Sequence, residues 1–390
     1  MTAVVDGYDV IVVGLGSMGS AAASALAERG IRVLGLETFG AAHDHGSAHG
    51  GTRIVRQAYF EGPAYVPLLR GAFDGWRRLE EQSGRDLLRL CGGIYIGNPD
   101  GDIVVGSVEA ATVHGLPYEL LNASEIQARF PTMDPADHAV GLYEPNAGYV
   151  RPEEAVLANV ELARRHGAWL RFHEPVTHWM SHSGAVEVIT PQARYQADRL
   201  VLAPGAWARE LLPVPAPIAV ERQIFYWFEP DFTAGVPYRS YAEGHPVYIE
   251  ETDGNGVIYG FPMVDGPDGG LKLAFYRQNV GTTTPQTIDR TVHPDEVDAI
   301  RRRALQLFPH LTGPLVRAAT CMYASAPDDH FVMGRLRGQP EVVIACGFSG
   351  HGFKFVPVVG EIVADLVETG GSPYDLSLFD PYRAGFLGES

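Results

Sequence analysis

The chain of 390 residues, 46% of them hydrophobic, is long enough to bury a sizeable core and to divide it between more than one lobe. Its 30 Lys and Arg against 47 Asp and Glu give a formal charge of −17, which repels nucleic acid and anionic membranes and requires any anion site to be a local basic pocket. Asp6 and Asp9 stand where a secretory leader carries Lys or Arg, no apolar run approaches membrane-spanning length, and Cys91, Cys321 and Cys346 offer neither CxxC spacing nor an even count, so the reading is a cytoplasmic protein without a disulfide framework or zinc site.

In chain order, the apolar run at 10–13, a glycine turn, a stretch of small residues through 27 and a second apolar run at 31–36 predict strand, turn, helix and strand. Helical periodicity returns at 65–81 and at 152–166, where Pro152 followed by Glu153 and Glu154 suits a helix N-terminus. Between these helices the pattern is mixed. From about 220 to 276, aromatic and β-branched runs separated by Gly, Pro and Asp predict strands at 224–228, 246–250 and 257–261, and hence a sheet-rich lobe. A buried strand at 342–345, the glycine-rich GFSGHGFKF and an apolar helix at 356–367 repeat the plan of the opening unit. Without an internal repeat or long linker, the lobes are expected to interweave: residues 1–85, 146–215 and 320–390 in one, 86–145 and 216–319 in the other.

Gly14, Gly16 and Gly19 have the spacing of a dinucleotide turn: the first glycine makes the bend, the second lets backbone approach a pyrophosphate, and the third permits close helix packing. The motif follows a predicted strand, opens a predicted helix, and is followed by Glu37, placed for ribose hydroxyls. An acid there favours NAD or FAD over NADP; the alternative is a glycine-tolerant turn with Glu37 a surface charge. His43, His45 and His49 invite a metal reading, but on a loop with Asp44 as the one nearby acid they do not match a tetrahedral site, and no metal is expected. Arg53 and Arg56, three apart, would share one face of a helical turn as a cationic patch, or else be two solvated side chains.

These residues resemble the monomeric sarcosine oxidase and N-methyltryptophan oxidase group of the D-amino-acid-oxidase superfamily. The likeness is carried by GLGSMG with Glu37, GSAHGGTRIVRQAY, CMYASAPDDHF beginning at Cys321, GFSGHGFKF with Lys354, and Tyr259-Gly-Phe-Pro followed by Gly270-Leu-Lys272. It implies an α/β fold in which a Rossmann-like FAD-binding domain is interwoven with a second, α+β substrate domain built on an antiparallel sheet. It further implies FAD joined covalently through Cys321, with His49, Thr52, Gly350 and Gly352 beside the cofactor. Arg56 and Lys354 match the pair that binds a substrate carboxylate, Arg53 an arginine near the flavin ring, and Lys272 the lysine that activates oxygen. Tyr259 and Tyr323 would shape the substrate side. Cys91 and Cys346 read as small buried hydrophobes.

The chain departs from the family pattern in three places: Tyr276 follows Lys272 by four residues, where the pattern has a histidine; the stretch between Tyr259 and Lys272, with Asp265 and Asp268, is longer than in sarcosine oxidases; and Ala48 stands where a second adjacent histidine is common. A tyrosine titrates near 10 and does not do a histidine's proton chemistry at neutral pH. Tyr276 is therefore a bulkier hydrogen-bonding wall. Tyr226 and Trp227 would either line a pocket for a larger amine or belong to the core. The expected activity is oxidation of a secondary amine, an N-methyl amino acid, by a monomeric enzyme that hands the electrons to O2. A bulkier, cyclic or primary amine, and an NAD-dependent dehydrogenase, stand as alternatives.

Overall fold

The computed structural model describes residues 4–182, 184–212, 216–252, 256–277 and 281–387. The first apolar run lies in the strand Val4–Val13, which ends with Val10, Ile11, Val12 and Val13 fully buried. Helix Ser17–Glu28 follows, and its small buried residues Ala21, Ala22, Ala23 and Ala25 allow helices Pro152–Arg165 and Val356–Glu368 to pack close against it. A Cβ at Gly360 would stand 2.8 Å from the Ala21 carbonyl, so the last of these helices approaches backbone to backbone.

Val4–Val13 pairs in parallel with Val33–Leu36 on one side and Arg194–Leu202 on the other. Trp169–Arg171 extends the first side and Gln339–Cys346 the second, also in parallel. Helices cover one face of this sheet and residues 179–195 the other, which is why its central strands read as continuous apolar runs rather than alternating ones. An antiparallel arm, His178–His182 with Ala185–Ile189, pairs with the first half of Arg194–Leu202, and Val332–Leu336 lies antiparallel beyond Gln339–Cys346.

The second sheet begins with Leu315–Ser325 paired antiparallel along Ala219–Phe228, with Gln223 opposite Cys321. Leu271–Tyr276, Gly256–Gly260 and Val247–Thr252 continue it in antiparallel order; Gly93–Gly97 then joins in parallel, followed by Val140–Glu144 and Glu119–Asn122. Side chains alternate across it with the two-residue period of a strand. Ile224, Tyr226 and Phe228 enter one core under helix Pro294–Leu307; Phe225 and Trp227 face the other way, with Tyr259 and Cys321. Leu271 and Leu273 share the first face, and Lys272 lies near Phe225 and Trp227 on the second. A small antiparallel sheet, Arg53–Val55, Gly148–Val150 and Leu88–Leu90, lies apart from both.

The strands of the parallel sheet come from 4–36, 169–202 and 332–346, and those of the antiparallel sheet from 93–144 and 219–325, so the chain passes between them repeatedly. Among the described residues, no helix is long and apolar enough to cross a membrane.

Candidate active site

A cleft of about 530 Å³ opens at the C-terminal ends of the parallel strands, bordered by Gly14, Glu37, Ala203 and Gly347, the residues that directly follow them. That is where open parallel sheets bind their ligands. Gly14 turns with φ of +86°, and a Cβ there would lie 2.5 Å from the Ala203 carbonyl oxygen. At Gly19 a Cβ would collide with the Gly14 carbonyl, whereas at Gly16, which borders the cleft, it would meet no protein atom. The second glycine thus leaves a cradle and the third closes the helix onto the turn. Glu37 is buried and fixed by two backbone donors, Leu15 N at 2.8 Å and Phe39 N at 2.9 Å. His43 Nε2 stands 3.5 Å from one of its oxygens, and His45 stacks on Phe39 at 4.3 Å.

The far end of the cleft is built by residues 47–53. Glu153, at the start of helix Pro152–Arg165, accepts hydrogen bonds from Gly50 N at 2.6 Å and Gly51 N at 3.1 Å. From the other side Lys272 Nζ donates to the Gly50 and Thr52 carbonyls, at 2.7 and 3.0 Å, and to Thr52 Oγ1 at 3.1 Å. The ammonium lies over Phe225, Trp227 and Phe261, with ring centroids 4.3, 5.4 and 4.6 Å away. Burial, then the Arg53 charge, holds this lysine well below the usual lysine range. His49 is buried as well; desolvation and Arg53 bring it down to about 4, and its Nε2 has no hydrogen-bond partner among the described residues. Arg53 donates to Ser47 O at 2.7 Å and Thr52 O at 2.8 Å, and reaches within 3.8 Å of Cys321 Sγ. The thiol is buried, also 3.8 Å from Ser47 O. Burial pushes its pKa up against the pull of Arg53.

A second, smaller cavity of about 60 Å³ adjoins the cleft, and Arg53, Tyr323, Gly350 and Phe353 border both. Besides Arg53 its basic side chains are Arg56 and Lys354, both buried. Arg56 lies over the Tyr59 and Phe60 rings at 4.1 and 4.2 Å, donates to Ala58 O at 3.0 Å and is paired with Glu61. Glu144, wholly buried, shapes this turn by accepting from Gln57 N, Ala58 N and Tyr95 Oη at 2.8, 3.1 and 2.7 Å. Lys354 Nζ donates to His351 O at 2.7 Å and Tyr59 Oη at 3.3 Å. Tyr276, Tyr259 and Tyr323 complete the wall, the last two with their hydroxyls 3.2 Å apart. Gly350, at φ +77°, leaves room for the Tyr323 ring, which a Cβ would strike.

Gly14, Gly16, Glu37, Gly350 and Gly352 border the larger cleft, and Arg53, Arg56, Tyr259, Tyr276, Tyr323, Gly350 and Lys354 the smaller cavity. His49, Thr52, Lys272 and Cys321 stand outside both linings, packed around residues 47–53. The helical turn expected to join Arg53 and Arg56 is instead the end of the strand Arg53–Val55, and they meet because the chain bends after Val55. Tyr226 belongs to the core beneath helix Pro294–Leu307, and Trp227 borders neither cavity. Glu61, Tyr59, His351 and Glu144 are not singled out by the sequence, and Glu153 is marked there only as a helix-start acid. Tyr59 and His351 lie inside quoted motifs, GSAHGGTRIVRQAY and GFSGHGFKF, so their neighbours were a usable signal. The open cradle at Gly16, the pinned Glu37 acceptor, the orphaned His49 Nε2 and a cleft within the usual range of cofactor sites together fit a flavin dinucleotide.

The family described as FAD dependent oxidoreductase matches residues 9–366. Over 379 residues the chain is 53% identical to the monomeric sarcosine oxidase of Streptomyces avermitilis, covering 96% of this chain and 97% of that protein. It is 33% identical over 383 residues to an N-methyl-L-tryptophan oxidase of Yersinia pestis, covering 96% and 99%. Among solved structures, the open form of NikD, described as an unusual amino acid oxidase essential for nikkomycin biosynthesis, superposes with a TM-score of 0.83 at 26% identity, over 97% of this chain and 98% of that one.

Proposed function

Because the chain belongs to the FAD-dependent oxidoreductases, we propose that it oxidises a small N-methyl amino acid of the sarcosine class, passing the electrons to O2 and releasing hydrogen peroxide. The observation that carries this reading is the cavity of about 60 Å³ with two buried basic side chains, Arg56 and Lys354, opening on the cofactor cleft. Its small size beside the larger cleft suits a small amino acid. FAD, when bound, takes the hydride equivalent from the carbon beside the amine nitrogen and returns the electrons to an acceptor.

The protein's part is positioning and charge. Arg56 and Lys354 take the substrate carboxylate, Arg56 while flanked by Glu61. Tyr259, Tyr323 and Tyr276 wall the amine in; burial and Glu61 push the Tyr276 phenol far above neutral pH, so it keeps its proton. Arg53 sets a positive charge where cleft and cavity meet, Gly14, Gly16, Glu37, Gly350 and Gly352 hold the dinucleotide, and His49 and Thr52 back it. Lys272 supplies the cation for oxygen reduction. Cys321, beside Arg53 and Ser47, would hold the flavin through a thioether. In this reading the enzyme works as a cytoplasmic monomer, with its lobes divided at the boundaries given above.

Two measurements test it. Acid precipitation of the purified protein is expected to leave the yellow colour in the pellet; a colourless pellet removes the covalent link. Peroxide release across N-methyl, cyclic and primary amino acids is expected to be greatest with sarcosine. Preference for a bulky or cyclic amine would replace the substrate assignment, and silence across the panel would sink the activity.

A further inference from the structure

A secondary amine arrives in water as its ammonium, and a nitrogen without a lone pair cannot support loss of hydride from the neighbouring carbon. The proton goes either to water or to a group in the small cavity, and at neutral pH the first route leaves only a small fraction of the amine reactive. The groups facing the site come from several elements. Residues 53–61 supply Arg53, Arg56 and Glu61, with Tyr59 behind them against Lys354, and strands Leu271–Tyr276, Gly256–Gly260 and Leu315–Ser325 supply Tyr276, Tyr259 and Tyr323. The segment before helix Val356–Glu368 supplies His351 and Lys354, and Arg277 beyond Tyr276 is paired with Asp329.

Most of these are unsuitable. The arginines do not give up a proton at any working pH, so they have no place to accept one. The phenols of Tyr59, Tyr259, Tyr276 and Tyr323 are pushed up by burial and hold theirs. Glu61 is buried, but the Arg56 guanidinium keeps its carboxyl below the ordinary range. His351 is engaged at both ring nitrogens: Nε2 faces the Asp329 carbonyl at 3.0 Å and Nδ1 the Tyr59 hydroxyl at 2.6 Å.

That histidine fixes the direction of the remaining hydrogen bonds. A carbonyl only accepts, so Nε2 carries the ring proton, Nδ1 is bare, and Tyr59 must donate to it. Tyr59 Oη is then left to accept from Lys354, whose other donation goes to His351 O. A neutral amine has two hydrogens and one lone pair. With both hydrogens donated to the protein, an uncharged Lys354 keeps its lone pair free, and Lys354 borders the cavity.

We propose that Lys354 meets the substrate uncharged and takes the proton of its ammonium, becoming by that transfer the cation that holds the substrate's carboxylate. The assignment rests on the amino acid reading above. One N–H bond of the substrate breaks, with its electron pair staying on nitrogen; one N–H bond forms with the Lys354 lone pair, and no electrons change hands. The charge state is consistent: burial, then the Arg56 charge, lowers Lys354 to about 7, with Glu61 opposing. An incoming carboxylate raises it again, toward the value near 10 of an ordinary alkylammonium, so the transfer is close to balanced once the substrate is seated.

The FAD-loaded enzyme is titrated calorimetrically with acetate at pH 8, in two buffers of different protonation enthalpy. Acetate brings a carboxylate and no proton, so uptake approaching one proton per site is expected in the wild type and none in Lys354→Met or Lys354→Arg. Absence of uptake, or of acetate binding, in a wild type that retains its flavin overturns the proposal. Anaerobic flavin reduction then provides a kinetic arm. Lys354→Arg keeps a cation for the carboxylate but leaves the substrate to ionise alone, so its reduction rate at pH 7 is expected to be about a thousandfold below that at pH 10. A profile parallel to the wild type would refute proton transfer to Lys354. If no amine reduces the flavin, the substrate reading fails while the acetate titration still decides this one.

Discussion

Replacing Glu153 by alanine tests how the wall between cleft and cavity is held. Its carboxylate is the hydrogen-bond acceptor for Gly50 N and Gly51 N, and the segment they belong to carries His49, Thr52 and Arg53. Each part-buried N–H left without an acceptor costs about 1–3 kcal/mol, so the pair is worth roughly 2–4 kcal/mol after allowance for water reaching one of them. Loss of a negative charge from the first turn of helix Pro152–Arg165 adds about 0.3–1 kcal/mol. Glu154 is the internal control: it occupies the same turn but pairs with Arg85 at the surface, where an ion pair contributes about 0–1 kcal/mol. Urea unfolding of Glu153→Ala and Glu154→Ala, with both slopes matching the wild type, should separate them by about 2–3 kcal/mol, and Glu153→Ala alone should retain less FAD. Equal midpoints for the two variants would mean that the segment does not depend on this carboxylate.

Lys272→Met should keep bound flavin yet slow reoxidation of the reduced enzyme by about a hundredfold, the usual cost of losing one preorganised charge; stopped-flow reoxidation at an unchanged rate counts against the role assigned to Lys272. Gly350→Ala places a methyl against the Tyr323 ring at a left-handed φ, at about 1–3 kcal/mol for the backbone alone. A rise of tenfold or more in KM for the amine, with flavin content preserved, is the expected result, and an unaltered KM speaks against Tyr323 as part of the substrate wall. His245 is buried between Tyr241 and Phe308, and desolvation lowers it from 6.5 to about 4. The unfolded chain binds this proton first, so its contribution is complete above pH 6.5 and is lost as pH falls toward 4, about 3 kcal/mol in all. His245→Phe should remove that share of acid sensitivity in denaturant melts between pH 7 and 4; identical pH slopes would contradict it.

The opening unit was legible because its chemistry is local: an apolar run, three spaced glycines and a row of alanines each dictate their own conformation. The strand at 342–345 and the helix at 356–367 were legible for the same reason, appearing as Gln339–Cys346 and Val356–Glu368. The region left as mixed was not. Gly93–Gly97 is buried throughout and too short to show a period, and helix Asp102–His114 contains Gly106 and several valines, poor local signals for a helix. The site divides along the same line. Arg53, Arg56 and Lys354 were found through motifs, but Glu144 reaches Ala58 across 86 positions and Glu153 reaches Gly50 across 103. Carboxylates of that kind look like surface charges until the fold brings unpaired backbone N–H groups to them.

The placement of Gln339–Cys346 beside Arg194–Leu202 bears on how the protein is made. The cleft is lined from Val13 to Phe353, so its walls are complete only after residue 353 has left the ribosome. At about 5–20 residues per second that takes roughly 20–70 s. During this interval the N-terminal strand, helix and glycine turn wait for a neighbour that has not been synthesised. Cofactor capture therefore waits for residue 353, and a truncation that removes residues 341–390 should yield a protein unable to retain flavin, however intact its glycine turn.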